Sequence, residues 1–185
     1  AFKELEDKDI VLYLSGSYTE EMREKIDKTV GEDVRIYIID DPKGAPEDSL
    51  LATYIAADIV VYPSKHEPFG LVPIEAASLG KEVIVRYVDN LKTFVDEGIA
   101  EGFETKEELK EKLKEVINKV REFKRLAKKL AKYESPEDLE KANRYLQKKI
   151  EKMKYVRERY SIDKCREEYK KLYEQLIFEK SNSFS

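Results

Sequence analysis

The sequence predicts a doubly wound α/β fold, a parallel sheet covered on both faces, followed by a helical C-terminal extension. Three observations predict it. Over residues 1–104, short runs rich in β-branched residues alternate with stretches of helical periodicity. Those runs are apolar on both faces, as strands of a buried parallel sheet are. From residue 105 the pattern is helical throughout, and the charge balance changes with it. Residues 1–104 hold 11 basic and 23 acidic side chains, whereas residues 105–185 hold 24 and 16. Two regions built on different plans are expected, 1–104 as the α/β domain and 105–185 as helices packing on it.

The elements follow in order. Asp9, Ile10, Val11, Leu12, Tyr13 and Leu14 read as a strand stopped by Ser15 and Gly16. Ser17 or Thr19 caps a helix carrying Met22, Ile26 and Val30 on one face, and Gly31 stands where a helix C-terminus favours it. Residues 34–39 form the second strand and 40–44 a loop. A helix over about 47–57 leads to a strand at 59–62. Residues 63–70 are a loop, 71–79 a helix closed by Gly80, and 82–87 another strand. A short helix at 90–97 and an edge strand at 99–103 complete the region. Thr105 and Glu108 have capping-box spacing before Leu109, Leu113, Val116, Ile117, Val120, Phe123 and Leu130. Ser135 and Pro136 open a second helix with the stripe Leu139, Ala142, Leu146, Ile150, Met153 and Val156. Ser161 opens a last one bearing Ile162, Cys165, Tyr169, Leu172 and Leu176, ahead of a fraying tail at 181–185.

Composition excludes several function classes. With 41% hydrophobic residues over 185 positions, the chain can bury a core and is not a disordered segment. It has no apolar run of transmembrane length, and Ala1, Phe2, Lys3 and Glu4 do not open a signal peptide. One cysteine, Cys165, and one histidine, His66, leave no internal disulfide and no cysteine/histidine zinc cluster. A cytoplasmic setting is expected. Abundant Lys and Glu with few Gln and Asn suit a thermophile.

In open α/β sheets, ligands bind at the carboxyl ends of strands, near helix N-termini. The informative junction runs from Pro63 to Glu75, after a buried strand and into a helix. The backbone N–H groups of Phe69, Gly70 and Leu71 are expected to be unpaired there, directed outward, and able to hold an anion. Glu67 and Glu75 flank that position. Carboxylates beside an anion site make sense if they accept from hydroxyls, as a sugar and a ribose offer. The alternative is that Glu75 merely complements the helix dipole and Glu67 is a solvated loop residue.

Ala57-Asp58, the strand at 59–62, Pro63-Ser64, Glu67-Pro68-Phe69-Gly70-Leu71 and Pro73-Ile74-Glu75-Ala76 resemble the donor-binding motif of the group 1, or family 4, retaining glycosyltransferases of GT-B fold. Glu67 and Glu75 have that family's spacing of two glutamates separated by seven residues. Residues 79–85 resemble the segment that follows, and residues 50–58 and 159–173 resemble the helix before the motif and the closing helix. The resemblance covers roughly residues 9–120 and 157–177. It implies a Rossmann-like C-terminal half of GT-B that holds a nucleotide sugar such as a UDP-, GDP- or ADP-hexose and transfers the hexose with retention. Glu67 would contact donor hexose hydroxyls as the catalytic carboxylate. Backbone at Phe69, Gly70 and Leu71 would hold the diphosphate or sugar, and Glu75 the ribose. Ile39 and Asp40, with Asp41, would border the base. No metal or other cofactor is implied.

Three departures from the family pattern stand out. No counterpart is found for the Gly-Arg and Lys-Gly pair that neutralises the leaving phosphate, and the family's first strand has none either. Where the family has a Gly-Gly turn, this chain has Tyr87, Val88, Asp89 and Asn90. No counterpart of the family's acceptor-binding N-terminal half is read in these 185 residues. A missing N-terminal domain or partner chain is therefore expected, and the isolated chain is expected to be inactive. The strand at 10–14 (Ile10, Val11, Leu12, Tyr13, Leu14) should have an open edge inviting self-association or a completing partner.

His66 beside Glu67 reads as a solvent-facing residue rather than an acid or base, and Cys165 as a core thiol. The rival function is a non-catalytic binding module. Residues 121–154 hold 12 basic and 6 acidic side chains, a candidate patch for RNA or an anionic membrane. The other reading is a solvated face around an apolar stripe. No nucleic-acid binding is expected, and peripheral membrane contact stays open.

Overall fold

The computed structural model describes residues 1–40, 47–130 and 135–182. A single 3-10 turn at Phe2–Glu4 precedes β1 (Leu12–Gly16), α1 (Glu20–Val30), β2 (Ile36–Asp40), α2 (Glu47–Ala56), β3 (Ile59–Tyr62), α3 (Leu71–Ser78) and β4 (Glu82–Arg86). Then come α4 (Leu91–Asp96), β5 (Glu101–Phe103), α5 (Lys106–Leu130), α6 (Pro136–Arg159) and α7 (Ile162–Asn182). This is an α/β architecture with parallel strands, as the alternating pattern predicts. The first strand begins later than expected and runs through Gly16, and the second runs through Asp40. Most of the expected 40–44 loop, Asp41 included, and residues 183–185 lie outside the described residues.

Local chemistry sets the helix ends. Thr19 accepts from the Met22 N–H at 3.2 Å, and Ser135 from the Asp138 N–H at 3.4 Å, each capping a helix. Thr105 accepts from Glu108 N–H, while the Glu108 carboxylate reaches back to the Glu104 N–H at 2.7 Å. Gly80 has φ +71°, and a Cβ there would stand 2.7 Å from Met153 Sδ. The α3 end thus lies directly against α6, at a positive φ that glycine adopts most readily.

The strands form two parallel sheets. β1 pairs with β2, Leu12 opposite Ile36 through Gly16 opposite Asp40. β3, β4 and β5 make the second, in that order. β4 is buried on both faces. Val83 and Val85 join Tyr54, Ile74, Ala76, Ala77, Leu91, Phe94, Ile99 and Val156 on one side. Ile84 points the other way, to Leu5, Phe103, Leu113 and Val116. Helices α3, α4 and α6 therefore cover one face, and α5 with the N-terminal segment covers the other.

The first sheet is less covered than the apolar pattern implies. Tyr13 and Tyr37 stack with ring centroids 5.4 Å apart, yet both are more than half exposed, and so is Val11. Met22 of α1, expected on a packed face, is half exposed. This layer is tied to the rest through polar contacts of the N-terminal segment. Arg35 donates to the carbonyls of Leu5 and Asp7 at 2.9 and 2.8 Å, Lys3 donates to the Thr29 carbonyl at 2.7 Å, and Arg121 pairs with Asp7.

In the helical region, α5 packs as predicted and Ala142 and Val156 of α6 are buried, but Leu139, Leu146 and Ile150 keep large exposed areas. The α7 stripe is not packed. Ile162, Tyr169 and Leu172 are exposed, and so is Cys165, which is therefore no core thiol. The described residues put no other element over that face, so periodicity alone did not bury it. Leu176 lies beyond the described side chains. Several cations of the basic stretch are engaged within the chain: Lys124 with Asp58, Lys129 with Asp138, and Lys152, together with Lys119, with Glu82. Among the described residues, no helix is long and apolar enough to cross a membrane.

Candidate functional site

The loop between β3 and α3 carries the predicted constellation. β3 is half-buried and paired along its length with the buried β4, so it delivers Tyr62, and the loop that follows delivers Ser64, Glu67 and Phe69, to one end of the sheet. Gly70 turns the chain into α3 with φ +95°. A Cβ on Gly70 would stand 2.6 Å from Phe94 Cε2 and 2.9 Å from Leu91 Cδ2, so the turn is pressed onto α4.

Two of the three N–H groups expected to be open, those of Phe69 and Gly70, are taken within the loop. The Glu67 Oε1 atom accepts from Gly70 N–H at 2.9 Å and from Phe69 N–H at 3.3 Å. The carboxylate of the loop thus occupies the helix N-terminus itself, because a short tether places its negative charge at the positive end of the dipole. Its second oxygen accepts from the Tyr62 hydroxyl at 2.6 Å. The Tyr62 bond draws the Glu67 carboxyl below its usual pKa; partial burial opposes that, and the two N–H groups add to it. Burial and the adjacent carboxylate push the Tyr62 hydroxyl up to about 12. Glu67 is held in place and is not a solvated loop residue.

Glu75 sits in α3 with its side chain exposed, and its Oε2 accepts from the Tyr54 hydroxyl of α2 at 2.9 Å. Tyr54 is 6% exposed, and burial followed by the Glu75 charge raises its pKa well above the ordinary value. The two carboxylates therefore flank the start of α3, each held by a tyrosine from a different element. Phe69 and Leu71 are exposed beside them, and the Phe69 ring meets Tyr160 of the α6 terminus edge-on at 6.5 Å.

The turn after β4 braces this loop. Asp89 adopts φ +43°, and its Oδ2 accepts from the Glu67 N–H at 3.1 Å. Asn90 donates from Nδ2 to the Phe69 carbonyl at 3.1 Å. The departure from a Gly-Gly turn thus supplies two side-chain clamps. His66 is 92% exposed with Nδ1 3.6 Å from Asp89. Sequence reasoning missed Tyr54, Tyr62, Asp89 and Asn90 as parts of this site. The Asp-Asn dipeptide is a turn signal, but nothing in it specifies what the side chains reach. Ile39 and Asp40 end β2, and no hydrogen bond or ring contact among the described residues joins Ile39 to the Glu67–Glu75 group. The Asp40 side chain lies outside the described residues.

Comparison with known sequences agrees with the geometry. The sequence model of the glycosyl transferases group 1 matches residues 1–136. The chain is 40% identical over 82 residues to a D-inositol 3-phosphate glycosyltransferase of Corynebacterium efficiens, covering 44% of this chain and 19% of that protein. It is 45% identical over 69 residues to the Corynebacterium glutamicum protein of the same name, covering 37% and 16%. It is 39% identical over 74 residues to D-inositol 3-phosphate glycosyltransferase 1 of Catenulispora acidiphila, covering 40% and 16%. The matched segments span less than a fifth of the length of these relatives. With most of its length matched by the family, the chain belongs to the group 1 glycosyltransferases.

Proposed function

We propose that this chain is the donor-binding part of a retaining GT-B glycosyltransferase that moves a hexose from a nucleotide sugar. The observation that carries the reading is the pair Glu67 and Glu75, each fixed by a tyrosine hydroxyl on either side of the start of α3. Glu67 offers its remaining lone pair to a hexose hydroxyl, and Glu75 faces solvent where ribose hydroxyls can reach it. Since Glu67 already fills the N–H groups of Phe69 and Gly70, a hydroxyl fits beside it better than a phosphate, which would meet its charge. The diphosphate then lies nearer Leu71. Orientation of the donor is this region's contribution to transfer. No metal or further cofactor is part of the proposal.

The partner is the rest of the sheet and of the enzyme. Among the described residues, β1 and β3 each pair on one side only, and the five strands are parallel within their sheets. One further parallel strand, bonded to both open edges, would unite them into a sheet ordered β2, β1, new strand, β3, β4, β5. Such a strand, with an acceptor-binding half attached, is the partner proposed, with self-association through β1 as the lesser alternative.

Calorimetry with UDP, GDP, ADP and their hexose conjugates tests the reading. Binding at millimolar levels or better is expected, tighter for one conjugate than for its diphosphate, and weakened in Glu67→Ala. Silence from every nucleotide, or an unchanged Glu67→Ala, overturns it.

A further inference from the structure

We propose that Tyr62 and Tyr54 are positioning residues that set how many donor hydroxyls each carboxylate can accept, and from which oxygen. The proposal rests on the nucleotide-sugar reading above. A carboxylate offers about four acceptor directions, two on each oxygen. On Glu67, Oε1 takes the N–H groups of Gly70 and Phe69, at 2.9 and 3.3 Å, and Oε2 takes the Tyr62 hydroxyl at 2.6 Å. A single direction is left, on Oε2. On Glu75, Tyr54 takes one direction of Oε2 at 2.9 Å, and the exposed remainder is left for a vicinal diol. The two glutamates of one motif are therefore unequal: one reads a single hydroxyl, the other a pair.

Both tyrosines come from rigid places. Tyr62 is the last residue of β3, in register with Val85 of the buried β4, and Tyr54 is a core residue of α2 packed with Ile74 and Val85. Among the described residues, no cation pairs with the Glu67 or Glu75 carboxylate beside its tyrosine hydroxyl. The O–H group is therefore the only fixed donor that a side chain gives either carboxylate among the described residues. A phenylalanine in either position keeps the ring packing and removes only that donor: Glu75 is then left free to rotate, and Glu67 keeps only the two N–H bonds to its Oε1.

The test is calorimetry on the chain and on Tyr62→Phe and Tyr54→Phe. UDP-glucose, GDP-mannose and ADP-glucose are screened first. The tightest is followed by its nucleoside diphosphate and its 2′-deoxyribose form. Tyr62→Phe should weaken the nucleotide sugar about tenfold, the scale of one hydrogen bond to a charged group, and leave the diphosphate alone unchanged. Tyr54→Phe should lower the preference for ribose over 2′-deoxyribose while leaving the sugar increment intact. An equal loss for every probe assigns the tyrosines a structural role only and overturns the proposal. Carbon-13 titration of the Glu67 carboxyl supplies a readout that needs no ligand: Tyr62→Phe should raise its midpoint, and an unmoved midpoint also overturns the proposal. If the parent chain binds no nucleotide, the donor reading falls and the ligand role falls with it, while the carboxyl titration still decides whether Tyr62 holds Glu67.

Discussion

Glu67 Oε1 accepts from the Gly70 N–H at 2.9 Å, so a side chain of the loop already neutralises the start of α3. This changes what the site can hold. A bound phosphate at the same N–H groups would have to displace a carboxylate that Tyr62 also grips. A neutral hydroxyl needs only the direction left open.

Glu67→Gln separates charge from shape. The amide is nearly isosteric, but it accepts through one atom and is neutral, so it cannot serve Gly70, Phe69, Tyr62 and a ligand together. Affinity for the hexose conjugate should fall about tenfold, with the nucleoside diphosphate less affected. Calorimetry on both ligands checks this. Equal weakening of the two would place the hexose elsewhere.

Gly70→Ala tests the pressed turn. Its φ of +95° is strained for any residue with a Cβ, and the added carbon would meet Phe94 at 2.6 Å and Leu91 at 2.9 Å. Both neighbours are fully buried, so neither can swing aside. Backbone strain and overpacking together should cost about 2–5 kcal/mol. Urea denaturation measures it, and a loss under about 1 kcal/mol would mean that the loop relaxes freely.

Local order in the sequence was legible where a short-range rule decides it. β3 begins at Ile59 and ends at Tyr62 as predicted, since a β-branched run between Asp58 and Pro63 admits little else. The caps at Thr19, Thr105 and Ser135 follow from one hydroxyl and a spacing of three. The spacing of Glu67 and Glu75 singles out two carboxylates that the structure sets on either side of the start of α3. What the spacing could not reveal is that Glu67 folds back onto its own helix, because that depends on a hydroxyl five residues earlier and on Gly70 adopting positive φ. The α7 stripe misled for a related reason. Ile162, Tyr169 and Leu172 mark a face, but periodicity does not say whether a neighbour covers it.

Glu82 gives a pH dependence. It is 5% exposed at the start of β4, where its carboxylate accepts from Lys119 at 3.0 Å and Tyr145 at 2.8 Å, with Lys152 at 3.9 Å. Burial pushes its pKa up, but Lys119, Lys152 and Tyr145 outweigh it, and the net direction is down. A carboxyl lowered in the fold stabilises it above the unfolded value and loses that contribution as pH falls. The parent chain should therefore lose stability below about pH 4.5, the ordinary range of a glutamate. Glu82→Gln removes the negative charge that faces the half-exposed Lys119 and the part-buried Lys152, and should cost about 1–3 kcal/mol at pH 7, with a shallower decline in acid. Thermal melts across pH 3 to 7 check both slopes. Parallel curves for the two proteins would exclude Glu82 as the titrating group.

The last prediction is that the chain alone transfers no sugar. Transfer with retention needs an acceptor hydroxyl held against the donor's anomeric face, and in the proposed enzyme another domain holds it. Positioning is worth about 7–11 kcal/mol of barrier in the best cases, so losing it should abolish measurable turnover. The leaving diphosphate would also lack a basic pair, and the dipole of α3 contributes only about 0.3–2 kcal/mol. The open edges of β1 and β3 should show the same deficiency in dynamics. Amides of the β1 edge facing away from β2 have no strand partner among the described residues, so they should exchange with solvent far faster than those of β4, which is paired on both sides. Adding the acceptor-binding half with its completing strand should slow exchange at β1 and β3 together and restore transfer. The assay is release of nucleotide and appearance of glycosylated acceptor, with and without that half, followed by hydrogen exchange on the same samples. Turnover by the isolated chain would show that its own residues hold both substrates. Restored transfer without added protection at β1 and β3 would place the partner on another face.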